Sequence, residues 1–163
     1  MSPSPLLGMR ERPIAAGTEK TMKTFAYACR FEPTERPGGF VATFDDVPEA
    51  ITEGEDMADA REMAADALGV ALLTYLEMKR PLPEAKASGE MISPDPEVAA
   101  KIAVIETFIE AGLTRTELAR RLGRDEKEVR RILDPDTPTK LPMLAAALAA
   151  MGKRLVIGLE AAE

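Results

Sequence analysis

The sequence has no histidine and a single cysteine among its 163 residues. Without histidine there is no His-ligated zinc, no Ser-His-Asp or Cys-His nucleophile system and no imidazole general base. Cys29 has no partner for a disulfide within the chain, which fits a reducing cytoplasm. There is no CxxC, no GxxxxGK[ST] phosphate loop and no GxGxxG. Aromatic residues make up 4%, too few for a stacking platform on single-stranded nucleic acid. No run approaches the ~20 apolar residues of a membrane span, so no membrane partner is expected. The first twenty residues lack the apolar core of a secretory signal. What is present is 45% hydrophobic and 30% charged, enough for a globular chain of one large or two small domains. Binding fits this composition better than catalysis, and no cofactor is expected.

The net charge of −7 is unevenly spread. Residues 22–96 hold 7 Lys/Arg against 15 Asp/Glu, whereas residues 97–154 hold 11 against 9. An acidic front and a mildly basic back imply two parts with different partners. Residues 1–21 carry prolines and glycines without periodicity and read as a disordered tail. Ordered patterning begins directly after Met22, a candidate natural start. The division expected is a tail over 1–21, an acidic domain over 22–93 and a basic one over 94–163.

Thr24–Glu32 alternates, placing Phe25, Tyr27, Cys29 and Phe31 on one strand face. Pro33–Gly39 is a turn, Phe40–Phe44 a second strand and Ile51–Glu55 a third. Asp56 is a plausible N-cap for a helix over Met57–Lys79. Met57, Ala60, Met63, Ala64, Ala67, Leu68, Ala71, Leu72 and Tyr75 form its apolar stripe, which reads as core rather than as a methionine ligand set. Arg80-Pro81-Leu82-Pro83 stops that helix. Glu90–Ser93 returns as a fourth strand, and Ser93-Pro94-Asp95-Pro96 reads as a linker. The fold class expected is therefore α+β in the order β-β-β-α-β, followed by an all-α part that ends in a short β-strand.

In the back part, Glu97–Ala111 is helical with Val98, Ile102, Ile105 and Ile109 on one face. Helices are then expected over Arg115–Gly123, Glu126–Leu133 and Leu141–Met151. Thr114 with Glu117, and Asp125 with Glu128, supply two capping signals around a Gly123 turn. Leu118, Ala119, Leu122, Val129 and Ile132 point inward, which is helix-turn-helix spacing. Candidate contacts to double-stranded DNA are Thr114, Arg115, Arg124, Glu126, Lys127, Arg130, Arg131 and Lys140, with Arg130 or Arg131 as base reader. Asp125, Glu126 and Glu128 oppose phosphate binding at the start of the reading helix. A small net positive charge calls for a dimer. Arg154–Leu159 offers the means, as a strand whose Leu155, Ile157 and Leu159 pair with a second copy.

From Asp45 to Asp66 there are nine acids and one base. Asp45, Asp46, Glu49, Glu53 and Glu55 suit a basic protein partner. The bland reading is a solvated acidic surface. A third reading takes Asp45 and Asp46 as a carboxylate pair that holds Mg²⁺ for nuclease chemistry.

The order Gly38-Gly39, Phe44-Asp45-Asp46-Val47-Pro48, Ile51-Thr52-x-Gly54-x-Asp56 and then Ala60 and Ala64 resembles HicB-type antitoxins. That family usually has a Pro-Asp-Leu-Pro-Gly-like loop; Asp45 stands here for its first proline and Glu49 for its glycine. Leu113-Thr114-x-x-Glu117-Leu118-Ala119-Arg120-Arg121-Leu122-Gly123, and Thr139-Lys140-Leu141 leading to Met151-Gly152-Lys153-Arg154-Leu155, resemble the Xre-type helix-turn-helix of one HicB branch. Arg124 departs from the apolar residue usual there. The resemblance covers about Lys23–Leu159. It implies a front part shaped like a truncated RNase H fold without nuclease activity, which masks a HicA-type toxin, a small basic mRNA-cleaving protein. It also implies a back part that represses the chain's own operon at an operator. The rival readings are a stand-alone helix-turn-helix regulator with an acidic sensor or partner-binding domain, a metal-dependent RNase H-like nuclease, and an orphan repressor that has lost its toxin.

Overall fold

The computed structural model describes residues 22–161. The expected tail over 1–21 lies outside the described residues. Strand β1 (Tyr27–Pro33) pairs antiparallel with β2 (Phe40–Phe44) and with β4 (Glu90–Ile92), and β2 pairs antiparallel with β3 (Ile51–Gly54). The sheet order is β3-β2-β1-β4. Between β1 and β2 the backbone turns at Gly38, whose φ of 84° suits a residue without a Cβ. The register sets Cys29 opposite Phe44 and Phe31 opposite Ala42, so the alternating apolar residues share one face. The first strand begins at Tyr27 rather than Thr24, because its pairing with Ile92 starts there.

One helix covers that face. In α1 (Met57–Glu77), Asp56 caps the start by accepting from the Asp59 N–H at 2.8 Å. Ala60, Ala64, Leu68, Ala71, Leu72, Tyr75 and Leu76 are buried against the strands. The alanines keep the first two turns close to the sheet. Gly54 allows the closest approach, since a Cβ there would collide with the Ala60 backbone. Met63, expected in the core stripe, is 39% exposed, because it lies a third of a turn away from the Ala60–Ala64–Leu68 line.

The segment expected to be a linker is seated instead. Pro94 is buried, and Pro96 opens α2 (Pro96–Ala111), where its missing N–H costs nothing. Helix α2 serves two hydrophobic clusters. Ile102 and Ile105 join Phe25, Phe44, Leu68 and Leu72 beneath the sheet. Ala100 and Val104 join Ile132, Leu144, Ala147 and Leu148 in the C-terminal helices. Gly69 lets α2 lie close to α1, since a Cβ there would stand 2.9 Å from Val98. Lys23 adds an ion pair to Glu106 at 2.5 Å. Ile109, expected on the buried face, is exposed at the far end of the helix.

Three short helices follow: α3 (Arg115–Leu122), α4 (Glu126–Leu133) and α5 (Leu141–Ala150). Gly123 ends α3 in the left-handed region at φ 65°. Leu118, Ala119 and Val129 are buried where α3 and α4 cross. The C-terminal segment departs from expectation. Arg154–Leu159 forms no strand in the single chain. A strand is defined by its ladder, and this segment pairs with none of the four strands of the sheet. Leu155 packs against the C-terminal cluster, while Val156, Ile157 and Leu159 are exposed.

Candidate functional site

Two surfaces carry the candidate residues. The first is the outer side of α3 and α4. Thr114 is held as the α3 N-cap, its Oγ1 accepting from the Glu117 N–H at 3.1 Å. Asp125 caps α4 in the same way, accepting from the Glu128 N–H at 2.8 Å. The other acids here are bound to neighbours. Glu126 accepts from the Thr116 hydroxyl at 2.8 Å, which ties the start of α4 to α3. Glu128 faces Arg124 at 3.5 Å, so Arg124 is engaged by that carboxylate. Glu117 receives both Arg120 and Arg121, and these guanidiniums hold its carboxyl down to about 2. Among the described residues, Arg115, Lys127, Arg130, Arg131 and Lys140 are exposed cations without an ion pair. All five are expected DNA contacts, and the acids that opposed that reading are occupied.

Lys101, which sequence reasoning passed over, sits behind this surface. It is 4% exposed, and its Nζ donates to the carbonyls of Arg131 at 3.1 Å and Ile132 at 2.8 Å and to the Thr139 hydroxyl at 2.7 Å. Burial pulls its ammonium down to about 8, with Asp134 acting in the other direction. No sequence signal marks it, because one lysine in a sixteen-residue helix reads as solvated.

The second surface is acidic, and the structure disperses its five candidates. Asp45 forms a two-pronged pair with Arg30 at 2.8 and 2.6 Å. Asp46 accepts from the backbone N–H groups of Lys86 and Ala87 at 2.9 and 2.8 Å, pinning the loop before β4. Glu49 accepts from the Tyr75 hydroxyl at 2.7 Å, and Arg80 lies over the Tyr75 ring at 4.2 Å. The Tyr75 hydrogen bond, helped by Arg80, holds the Glu49 carboxyl below its usual range. Of the five candidates, Glu53 and Glu55 are the two that are exposed with no side-chain partner among the described residues. Asp45 and Asp46 are thus engaged by different groups, and no cluster of three metal-ligating side chains occurs among the described residues.

Beside this surface, an open groove of about 500 Å³ runs between edge strand β3 and α1. Ile51, Met63, Val70 and Met78 are exposed along it, with Glu49, Asp66 and Arg80 at its sides. The charge count in the sequence pointed to the acids and missed this apolar strip. Its residues come from a strand and from a helix, and only the fold brings them together.

Known proteins resemble this chain over most of its length. Residues 26–92 match a family model described as HicB-like antitoxin of bacterial toxin–antitoxin systems. The chain is 37% identical to Antitoxin HicB of Escherichia coli strain K12 over 121 residues, covering 72% of this chain and 88% of that protein. It is 37% identical to Antitoxin HicB 2 of Photorhabdus laumondii over 134 residues, covering 82% and 95%. It is 32% identical to Antitoxin HicB of Pseudomonas fluorescens strain Pf0-1 over 142 residues, covering 85% and 96%. These matches extend beyond the sheet and α1 into the C-terminal helices, and no helix of the described residues is long and apolar enough to cross a membrane. The chain belongs to the HicB family of bacterial antitoxins.

Proposed function

We propose that this antitoxin uses two separate surfaces: the sheet and α1 mask a HicA-type toxin, and the C-terminal helices act as a helix-turn-helix that represses the chain's own operon at an operator. The observation that carries the DNA half is the division of charge on α3 and α4. The acids are engaged within the chain, while Arg115, Lys127, Arg130, Arg131 and Lys140 have no ion-pair partner among the described residues. Arg130 and Arg131 then read bases and the others contact phosphates. Two copies are needed to neutralise enough phosphates, and the exposed Val156, Ile157 and Leu159 are where they meet, over a groove of about 600 Å³ against α2. For the toxin half, Glu53 and Glu55 attract a basic partner and the Ile51–Met78 strip gives it an apolar seat.

A crosswise experiment tests this reading. Arg130→Ala with Arg131→Ala should abolish specific operator binding, each lost base contact costing ~1–3 kcal/mol, and leave toxin binding intact. Glu53→Lys with Glu55→Lys should do the reverse, slowing toxin association most at low salt. Among the described residues the side chains of these two acids hold nothing else in place, unlike those of Asp46 and Glu49. Gel-shift titration for the operator and surface-binding kinetics for the toxin read the four outcomes. A pair of changes that damages both activities equally would count against separate surfaces.

A further inference from the structure

We infer that Lys101 is the positioning residue of the DNA-binding surface: from inside the protein it fixes the end of the reading helix and the loop to Lys140 in one orientation. The inference rests on the DNA-binding reading of α4.

Helix α4 ends without a left-handed cap. It is eight residues long, and a helix leaves its last carbonyls without intrahelical donors. Helix α3 solves this with Gly123, whose left-handed backbone folds N–H groups back onto the helix. Helix α4 has no such residue. Asp134 continues extended at φ −83° and ψ 118°, supplying one N–H to the Arg131 carbonyl at 3.2 Å. The remaining donor is the Lys101 ammonium, which reaches the Arg131 and Ile132 carbonyls from α2. A cation at a helix C-terminus is favoured by the partial negative charge there.

The same nitrogen holds a second segment. Its third hydrogen bond goes to Thr139, the residue before Lys140 and α5. Between these two points the chain is folded by Asp134, whose carboxylate accepts from the Asp136 N–H at 2.9 Å and the Thr137 hydroxyl at 2.7 Å. One buried nitrogen therefore sets the spacing between the Arg130–Arg131 end of α4 and Lys140. Its own position is fixed, because the residue beside it, Ile102, is locked beneath the sheet. The start of this two-turn reading helix is tied to α3 by Glu126 and Thr116, and Val129, Ile132 and Leu133 pack its inner side, so Lys101 is what ties its C-terminal carbonyls to α2 and to Thr139.

The test uses the full chain and two duplexes: the stretch immediately upstream of its own coding region, and a scrambled duplex of the same length. Lys101→Met keeps the apolar stem and removes all three donors. Thr139→Val removes one acceptor, and Thr139→Ser retains it. Lys101→Met should lower affinity for the upstream duplex about tenfold or more while leaving the scrambled duplex within about twofold, since phosphate contacts tolerate a misaligned helix and base contacts do not. Thr139→Val should show a smaller loss in the same direction, and Thr139→Ser should be close to wild type. Amide exchange over residues 131–140 should speed up in Lys101→Met relative to α3. The inference is overturned if Lys101→Met melts cooperatively and still prefers the upstream duplex as wild type does, or if both duplexes lose equally. Should Lys101→Met fail to fold, equal behaviour of the two Thr139 variants overturns it. If wild type itself does not discriminate between the duplexes, the DNA reading has failed, and the exchange rates still decide whether Lys101 positions α4.

Discussion

Single buried groups decide how the protein responds to alkali. The Tyr27 hydroxyl donates to the Pro83 carbonyl at 2.7 Å, and burial, with Glu106 and Asp46 nearby, pushes it up to about 12. Burial, with Glu90, pushes the Cys29 thiol up to about 11. Both groups are neutral when protonated, and both ionise earlier in the unfolded chain, near 10 and 9. Above about pH 9 the unfolded chain therefore binds fewer protons than the native one, and stability falls as pH rises through about 12. Lys101 works in the opposite sense between about 8 and its ordinary 10.5, because losing its proton relieves the cost of a buried charge. Urea unfolding at stepped pH should show a net alkaline decline. Tyr27→Phe should flatten the part above pH 10 by up to about 2 kcal/mol, at the cost of a lower neutral-pH value. An unchanged slope in that variant would remove Tyr27 from the explanation.

At the level of elements, the C-terminal segment gives the clearest test. Leu155 is packed, Ile157 is 65% exposed, and neither belongs to a strand in the single chain. Deleting residues 154–163 should give a monomer by light scattering that has lost operator binding and keeps the toxin; a full-length chain already monomeric at micromolar concentration would rule this out. Elements with local signals were legible in the sequence. Asp56, Thr114 and Asp125 announce their helices because a capping side chain bonds within three residues of itself. The four strands followed from alternation and turn residues, although their order in the sheet did not. What escaped depends on distant partners. Val98, Ile102 and Ile105 share one face of α2, yet periodicity does not say that this face belongs to the sheet rather than to the neighbouring helices. Met63 matched the helical stripe and still falls at its edge. The acids 45–55 were legible as a charged region, but their separate engagements were not, since hydrogen bonding to Lys86, Ala87 and Tyr75 is invisible to a charge count.

For the whole molecule, the consequence lies in where it can be cut. A break at the proline-rich Ser93–Pro96 segment, natural from composition, removes Ile102 and Ile105 from the core beneath the sheet. Large apolar residues missing from a core cost ~2–5 kcal/mol each, enough to unfold a small unit. Residues 22–111 should therefore fold cooperatively and hold the toxin, whereas 22–93 should melt lower or not cooperatively at all; circular dichroism melts of the two fragments decide it. Equal melts would mean that α2 adds nothing to the sheet.

Helix α2 also sets a rule for shuffling these proteins. The two proposed binding activities look like beads that evolution or an engineer could exchange between antitoxins, grafting one reading head onto another mask. Here the joint is itself core on both sides, with Ile102 facing one neighbour and Lys101 and Val104 the other. A chimera joined before Pro96 or after Ala111 pairs one face of this helix with a stranger's cavity. Only grafts that repaint a single face of α2, matched to its new neighbour, keep both ends working, so a head and its mask should travel through recombination as a unit.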